Sequence, residues 1–283
     1  MSSIEPPRPH HGNSLDPSDP GGSQAASPSP RAEPPDAREA SALTFEDTLE
    51  ILAHGHMALQ GLLPYSSNYS FLATVCLDGV ELLAVYKPRH GESPLWDFPA
   101  GTLCLREAAA FWVSRALGWN LVPPTVLRSQ APRGLGSLQL FIPHDPQVHY
   151  FAVQEDARFA LAFRRTALFD YVVNNADRKS GHCLIDPDGR LWLIDHGICF
   201  HHEPKLRTVI WEYAGEPIES ALLEDLRRLA RLWQEEEAVL APLYRWLSTA
   251  EQEALGRRLA KLLARERYPE PYPWGRNFPW PPI

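Results

Sequence analysis

Asp177, His182 and Asp195 flank a short turn in the stretch "NNADRKSGHCLIDPDGRLWLIDHG". The apolar runs "HCLI" and "LWLI" on either side of Asp186-Pro187-Asp188-Gly189 read as a hairpin, with Pro second and Gly fourth favouring a type I turn. Pairing Ile185 with Arg190 sets His182 opposite Leu193 and leaves Asp195 two residues further on, both at the open end and on one face. A slip of one residue would send Asp195 to the other face. Asp177, in the loop that leads in, can then converge on the pair. A carboxylate at a strand end is a natural magnesium ligand, because Mg2+ takes oxygen donors and substrate phosphates. A second carboxylate nearby can orient a hydroxyl and take its proton. Arg178 and Lys179 add positive charge where phosphoryl oxygens would gain negative charge. Together these residues make phosphoryl transfer feasible; each alone is an ordinary part of an acidic surface hairpin.

A second pair lies upstream. Lys87 ends the strand-like run "LLAVYK", and Glu107 shares a helical face with Ala110, Ser114 and Leu117. An acid on an inward face needs a partner, since an unpaired buried charge is costly. Lys87 is the nearest candidate in chain order. A strand Lys paired with the Glu of the next helix is the device that places nucleotide phosphates in phosphoryl-transfer enzymes. Ser66, Ser67 and Asn68 in "PYSSNYS" offer small residues and N–H or hydroxyl donors for a phosphate-covering loop, although such a turn is often only a turn. No GxxxxGK[ST] run is present, which excludes a P-loop site.

The elements that must hold these residues can be read in order. "TFEDTLEILAHG" predicts a helix from Thr44 to near Gly55, and Asp78-Gly79 predicts a tight hairpin between "YSFLATVCL" and "VELLAVYKP". A helix ending at Gly118, a strand at "SLQLFIP" and a long buried helix over "ARFALAFRRTALFDYVVNN" follow. The last third predicts helices over "SALLEDLRRLARLWQ" and "STAEQEALGRRLAKLLARER", the second opened by a Ser248/Glu251 capping box. The expected class is α+β: a sheet-rich lobe over 41–143 and a helical lobe over 144–267 carrying the catalytic hairpin, with ligands in the crevice between. Residues 1–40, rich in Pro and Ser and poor in aromatics, are expected to be disordered. The segment 268–283, Pro-rich yet aromatic, is expected to strap across an apolar groove or to dock a protein partner.

A net charge of -8 and a pI near 5.8 disfavour a nucleic-acid or anionic-membrane binder. The four cysteines form no CxxC pair, so neither a disulfide framework nor a zinc site is signalled. No secretory signal and no apolar run of the roughly 18 residues needed to span a bilayer are visible, and the expectation is a cytoplasmic protein without an integral membrane segment.

The motifs "AVYK", "REAAAF", "NNADRKSGH" and "LIDHG" resemble the kinase-like fold, in particular its atypical branch of phosphatidylinositol 3- and 4-kinases and HipA-type kinases. The sequence is also similar, from Leu43 to Tyr272, to an actinobacterial family grouped with those kinases, through "SSN", "AVYKP", "PLWDFPAGTLCLRE", "LGWNLVPPT" and "NNADRKSGH". The resemblance implies a two-lobed protein-kinase-like fold that uses ATP with Mg2+ or Mn2+. It gives Lys87 the strand lysine's role, Glu107 that of its helix partner, Asp177 that of the catalytic Asp and Asp195 that of the metal-binding Asp. It places the adenine edge near the backbone of Phe141 and Ile142, and the phosphates under Ser66 to Asn68. Two positions depart from the pattern. His182 stands where the kinases have an Asn that holds a second metal ion, so it contacts either a phosphate or the metal. His196 replaces the Phe of Asp-Phe-Gly.

The first functional reading is therefore an ATP- and Mg2+-dependent phosphotransferase acting on a hydroxyl of a protein, a lipid head group or a small molecule. The second is a pseudokinase that binds nucleotide and docks a partner through its termini. A third, a metal-dependent hydrolase built on His182, His196, His201 and His202, lacks helical HxxxH spacing and a nucleophile elbow.

Overall fold

In this computed structural model, residues 43–64 and 68–283 are described; the expectations for 1–40 and for Ser66 and Ser67 lie outside them. Thr44 opens α1 (Phe45–His54): its hydroxyl oxygen accepts from the Asp47 N–H, and the Asp47 carboxylate accepts from the Thr44 N–H. This reciprocal cap satisfies donors that the first turn would otherwise leave open. The chain then runs through β1 (His56–Leu62), β2 (Phe71–Leu77) and β3 (Val80–Pro88). Leu77 pairs with Val80 across Asp78 and Gly79, whose φ values of 50 and 82 are those of a turn matched to strand twist. After α2 (Leu103–Ala116) come β4 (Thr125–Arg128) and β5 (Gly136–Leu140), completing an antiparallel sheet in the order β1-β2-β3-β5-β4.

Alternation along β3 puts Ala84 and Tyr86 into a core with Ile51, Leu52, Val75 and Leu138, and therefore turns Lys87 to the opposite face. Lys87 pairs with Ser137, and Gly136 with Pro88. A Cβ on Gly136 would lie 2.5 Å from the Lys87 carbonyl oxygen, so glycine is what lets β5 approach the end of the Lys87 strand.

The remainder is helical apart from one hairpin: α3 (Tyr150–Val153), α4 (Ala160–Val173), β6 (Cys183–Ile185), β7 (Leu191–Leu193), α5 (Ser220–Gln234), α6 (Ala241–Trp246) and α7 (Thr249–Arg265). One apolar core joins α2 and α4 to α7, so α2 serves both the sheet and the helices and is buried almost all round. A third, small cluster of Ile142, Leu184 and Trp192, flanked by Leu140 and Ile194, lies where the chain leaving β5 meets the β6–β7 hairpin. Among the described residues no helix is long and apolar enough to cross a membrane.

Candidate active site

The β6–β7 turn closes over Asp186 to Gly189 as expected, with the Gly189 N–H donating to the Asp186 carbonyl at 2.9 Å. Its register differs from the expected one. Gly189 adopts φ +77 and Asp186 pairs with Arg190, so Ile185 lies opposite Leu191 and Cys183 opposite Leu193. The bulge arises because the Asp186 carboxylate accepts from the Asp188 and Arg190 N–H groups and from the Trp192 indole. That slip should have turned Asp195 away. Asp195 instead adopts φ +59, which bends the chain and returns its carboxylate to His182, with Nε2 3.3 Å from Oδ2.

Lys87 reaches the same place from β3. Its ammonium donates to Glu107 Oε1 at 2.5 Å and also to Asp195. Glu107, buried on α2, accepts the His196 N–H on its other oxygen at 2.9 Å, so one carboxylate fixes both the strand lysine and the backbone after Asp195. Burial alone would depress the Lys87 pKa; the charges of Asp195 and Glu107 outweigh it and hold the ammonium protonated. The Lys87 ammonium keeps Asp195 well below the usual carboxylate range, against its desolvation.

Asp177 sits in the loop between α4 and β6, its N–H donating to Asn175 Oδ1 and its carboxylate 3.5 Å from the Lys179 ammonium. Burial raises its pKa above the ordinary aspartate value, Lys179 opposes the rise, and the Asp195 charge adds to it. The structure thus gathers Lys87, Glu107, His182 and Asp195, with Asp177 and Lys179 on the adjoining loop.

Arg178 does not join them. It is fully buried, with its guanidinium on both oxygens of Asp170, the Ile194 carbonyl and His196 Nε2. The expectation that it meets phosphoryl oxygens directly fails because its donors are directed inward, tying α4 to both hairpin strands. His196 is thereby explained: neutral, kept so by burial and by Arg178, it accepts on Nε2 and sets its ring edge-on against Phe169.

The other expected contacts need adjustment. His182 is half-buried and desolvation lowers its pKa to about 4; Nδ1 faces the Lys179 N–H at 3.4 Å, which leaves the proton on Nε2, toward Asp195. With both nitrogens directed at protein groups, His182 orients the carboxylate and does not fit the metal-ligand role expected of it. The Phe141 N–H is bonded to the Leu83 carbonyl and the Ile142 carbonyl to His144, so these two groups are not those that would read an adenine edge. Asn68 accepts the Ser93 N–H on Oδ1 at 2.7 Å. His201 directs its nitrogens to the Asp97 carbonyl and the Glu203 N–H, which removes it from any histidine metal set.

The C-terminal segment borders this loop. Carbonyls of Asn277 and Pro282 accept the Thr208 and Ser180 N–H groups at 3.1 and 2.8 Å, and Asn277 also accepts the Trp211 indole. Of its aromatic rings, Tyr268 is buried in the helical core and Tyr272 packs against it, as expected of a strap, whereas Trp274, Phe278 and Trp280 are exposed and the attachment there is made by the backbone. Asp170, Ser180 and the buried pair Leu184 and Trp192 were not singled out in the sequence. The available signal was Asp170 itself, an acid inside the apolar run "LFDYVV".

A carboxylate with a half-exposed side chain, set beside a phosphate-type lysine, suits Mg2+. Among the described residues no group of three or more His, Cys, Asp or Glu could hold a metal ion by itself.

The phosphatidylinositol 3- and 4-kinase family matches residues 115–226, a span that holds Asp177 and Asp195. Protein Rv2133c of Mycobacterium tuberculosis (strain ATCC 25618 / H37Rv) is 38% identical over 83% of this chain and 95% of its own length. Phosphatidylinositol 4-kinase gamma 4 of Oryza sativa subsp. japonica is 27% identical over 52% of this chain, which spans only 29% of that protein. The crystal structure of the Golgi casein kinase with Mn/ADP bound superposes with a TM-score of 0.51 at 17% identity, covering 78% of this chain and 75% of that one. Its likeness extends across sheet and helices alike and establishes a kinase-like α+β fold. With a relative 38% identical and matched along nearly its whole length, the chain belongs to the family of Rv2133c.

Proposed function

We propose that the protein is an ATP-dependent phosphotransferase that passes the γ-phosphoryl group to a hydroxyl acceptor. The observation that carries this reading is the Lys87 ammonium held between Glu107 and Asp195, with Asp177 on the adjoining loop. Lys87 would bind the nucleotide phosphates, fixed in reach by Glu107. Asp177, whose raised pKa makes it a better proton acceptor than a free aspartate, would orient the acceptor hydroxyl and take its proton. Lys179 would meet the charge growing on the transferred group. Asp195 would hold Mg2+ or Mn2+, which supplies charge neutralisation between phosphate oxygens. The nucleotide base would lie on Leu184 and Trp192, under the chain leaving β5. The Mn and ADP in the Golgi casein kinase crystals support the choice of nucleotide and metal.

The test is turnover of γ-labelled ATP with Mg2+ or Mn2+, counting phosphate release and self-labelling. Asp177→Asn is expected to lower kcat by on the order of 10²- to 10⁴-fold with nucleotide affinity retained. The acid limb of kcat/KM should lie above the ordinary aspartate value of 3.8, with activity rising as pH climbs through it. Activity unaffected by Asp177→Asn would refute the role of the base.

The inward-facing His182 at the position of a second metal-binding Asn favours one other reading, a nucleotide-binding pseudokinase. Nucleotide that stabilises the protein without turnover, across protein, lipid and small-molecule acceptors, would select it.

A further inference from the structure

The loop that carries Asp177 is held by main-chain bonds on both sides of that residue. The Ala176 N–H donates to the Ile198 carbonyl at 3.1 Å, and the Arg178 N–H to the Arg207 carbonyl at 2.9 Å. In return the Arg207 N–H donates to the Asn175 carbonyl at 2.9 Å and the Val209 N–H to the Arg178 carbonyl at 3.2 Å. Arg178 and Thr208 thereby form a short parallel bridge, and Asp177 stands beside it. Two further donors of these segments are met by the C-terminal chain. The Thr208 N–H donates to the Asn277 carbonyl at 3.1 Å, and the Ser180 N–H to the Pro282 carbonyl at 2.8 Å. Thr208 and Ser180 are buried, so an open N–H at either would be costly.

Asn277 is bonded so as to keep its carbonyl in place. Its Oδ1 accepts the Tyr272 N–H and its Nδ2 donates to the Tyr272 carbonyl, both at 2.9 Å. Tyr272 packs against the helical core, so this side chain buckles the end of the chain to a part that is packed. The Asn277 carbonyl also takes the Trp211 indole at 3.0 Å. Phe278, Trp280 and Ile283 are exposed, so apolar burial does not explain why the chain is laid here; its bonds to the Asp177 loop do.

We infer that Asn277 is a positioning residue for the transfer reaction: by closing the 272–277 turn it lays the C-terminal chain along the Arg178–Thr208 bridge and fixes the Asp177 carboxylate relative to Lys87 and Asp195. This rests on the phosphotransferase reading. Asn277 acts through the loop and not on the reacting atoms.

The experiment joins hydrogen exchange at the Ser180 and Thr208 amides of the full chain to phosphate release from γ-labelled ATP with Mg2+, with ADP binding measured separately by calorimetry. Asn277→Ala should speed exchange at both amides by about tenfold or more, as a local opening made easier. Its kcat should fall on the order of 10- to 100-fold, the cost of a carboxylate displaced by about 1 Å, while ADP affinity and the KM for ATP stay as in the parent. Asn277→Asp, which keeps the acceptor for the Tyr272 N–H, should recover part of both losses. Pro282→Gly, which loosens only the end of the chain, should speed Ser180 and not Thr208 and lower kcat less. A turn with a purely structural role would lower Tm and speed the amides in Asn277→Ala, yet leave kcat unchanged well below Tm. That result, or parent-like exchange in Asn277→Ala, overturns the positioning role and leaves the phosphotransferase reading standing. Should Asn277→Ala fail to fold, Pro282→Gly decides, and faster Ser180 exchange with unchanged kcat there overturns the role. A parent that releases no phosphate overturns both.

Discussion

His182 is held neutral by burial, which lowers its pKa to about 4 against the opposing pull of Asp195. Between pH 6.5 and 4 the folded protein therefore binds fewer protons here than the unfolded chain. The stability this residue allows is complete above that window and declines as pH falls through it. At roughly 1.4 kcal/mol per pKa unit, the decline is on the order of 3 kcal/mol. Denaturant melts across this range should show a flatter acid slope for His182→Asn than for the parent. Some slope will persist, because buried His196 acts in the same sense. An identical slope in the variant would mean that His182 is not the neutral, desolvated group described. Lys87, Glu107, Asp177 and Asp195 were legible in the sequence because each is an ionisable residue at the edge of an apolar run. Asn277 was not, since its partners are main-chain groups of an irregular segment that has no periodicity. Arg178 was misread for a related reason: a sequence shows that a charge must be paired, and Asp170 was the partner.

Among the elements, α2 is the one that joins sheet to helices, and an ion pair fastens it. Arg106 is buried and donates to Glu251 at the start of α7 at 2.5 Å and to the Cys199 carbonyl at 2.6 Å. Breaking such a pair leaves an uncompensated buried charge, so Glu251→Ala should cost about 3–5 kcal/mol in urea unfolding. Arg106→Met with Glu251→Met should cost less than Glu251→Ala alone, and equal losses would argue that the helix cap of α7, not the ion pair, sets the effect. With this fastening the helix bearing Glu107 is held against the C-terminal helices rather than left free to swing. Helices were the most legible elements: α1 starts after Thr44 as read, and α7 announces itself with the capping box at Ser248. β1 and β4 were hidden: β1 buries only Met57 fully, and β4 is four residues long, too short for alternation to show. The β6–β7 register was lost to a side chain, Asp186, whose bonds favour a bulge that apolar patterning cannot reveal.

For the molecule as a whole, a nucleotide bound between sheet and helices would stabilise the folded state by mass action. At 100 times Kd the gain is about 2.7 kcal/mol, which for a chain of this size is expected to raise Tm by roughly 5 °C or more. Lys87→Met should abolish most of that shift in a thermal melt with ADP and Mg2+, and a full shift in the variant would remove Lys87 from the nucleotide site. The α+β order of elements was readable at this scale, and so was the packing of Tyr268 and Tyr272, whereas the attachment of the chain beyond them was not, because it is made by carbonyl oxygens that every residue possesses. That attachment also orders events in time. Asp177 and Ser180 leave the ribosome long before Asn277 and Pro282, whose carbonyls hold the Ser180 and Thr208 amides. During synthesis the loop that carries Asp177 and Ser180 therefore waits for its last anchors until the C-terminal segment has been made.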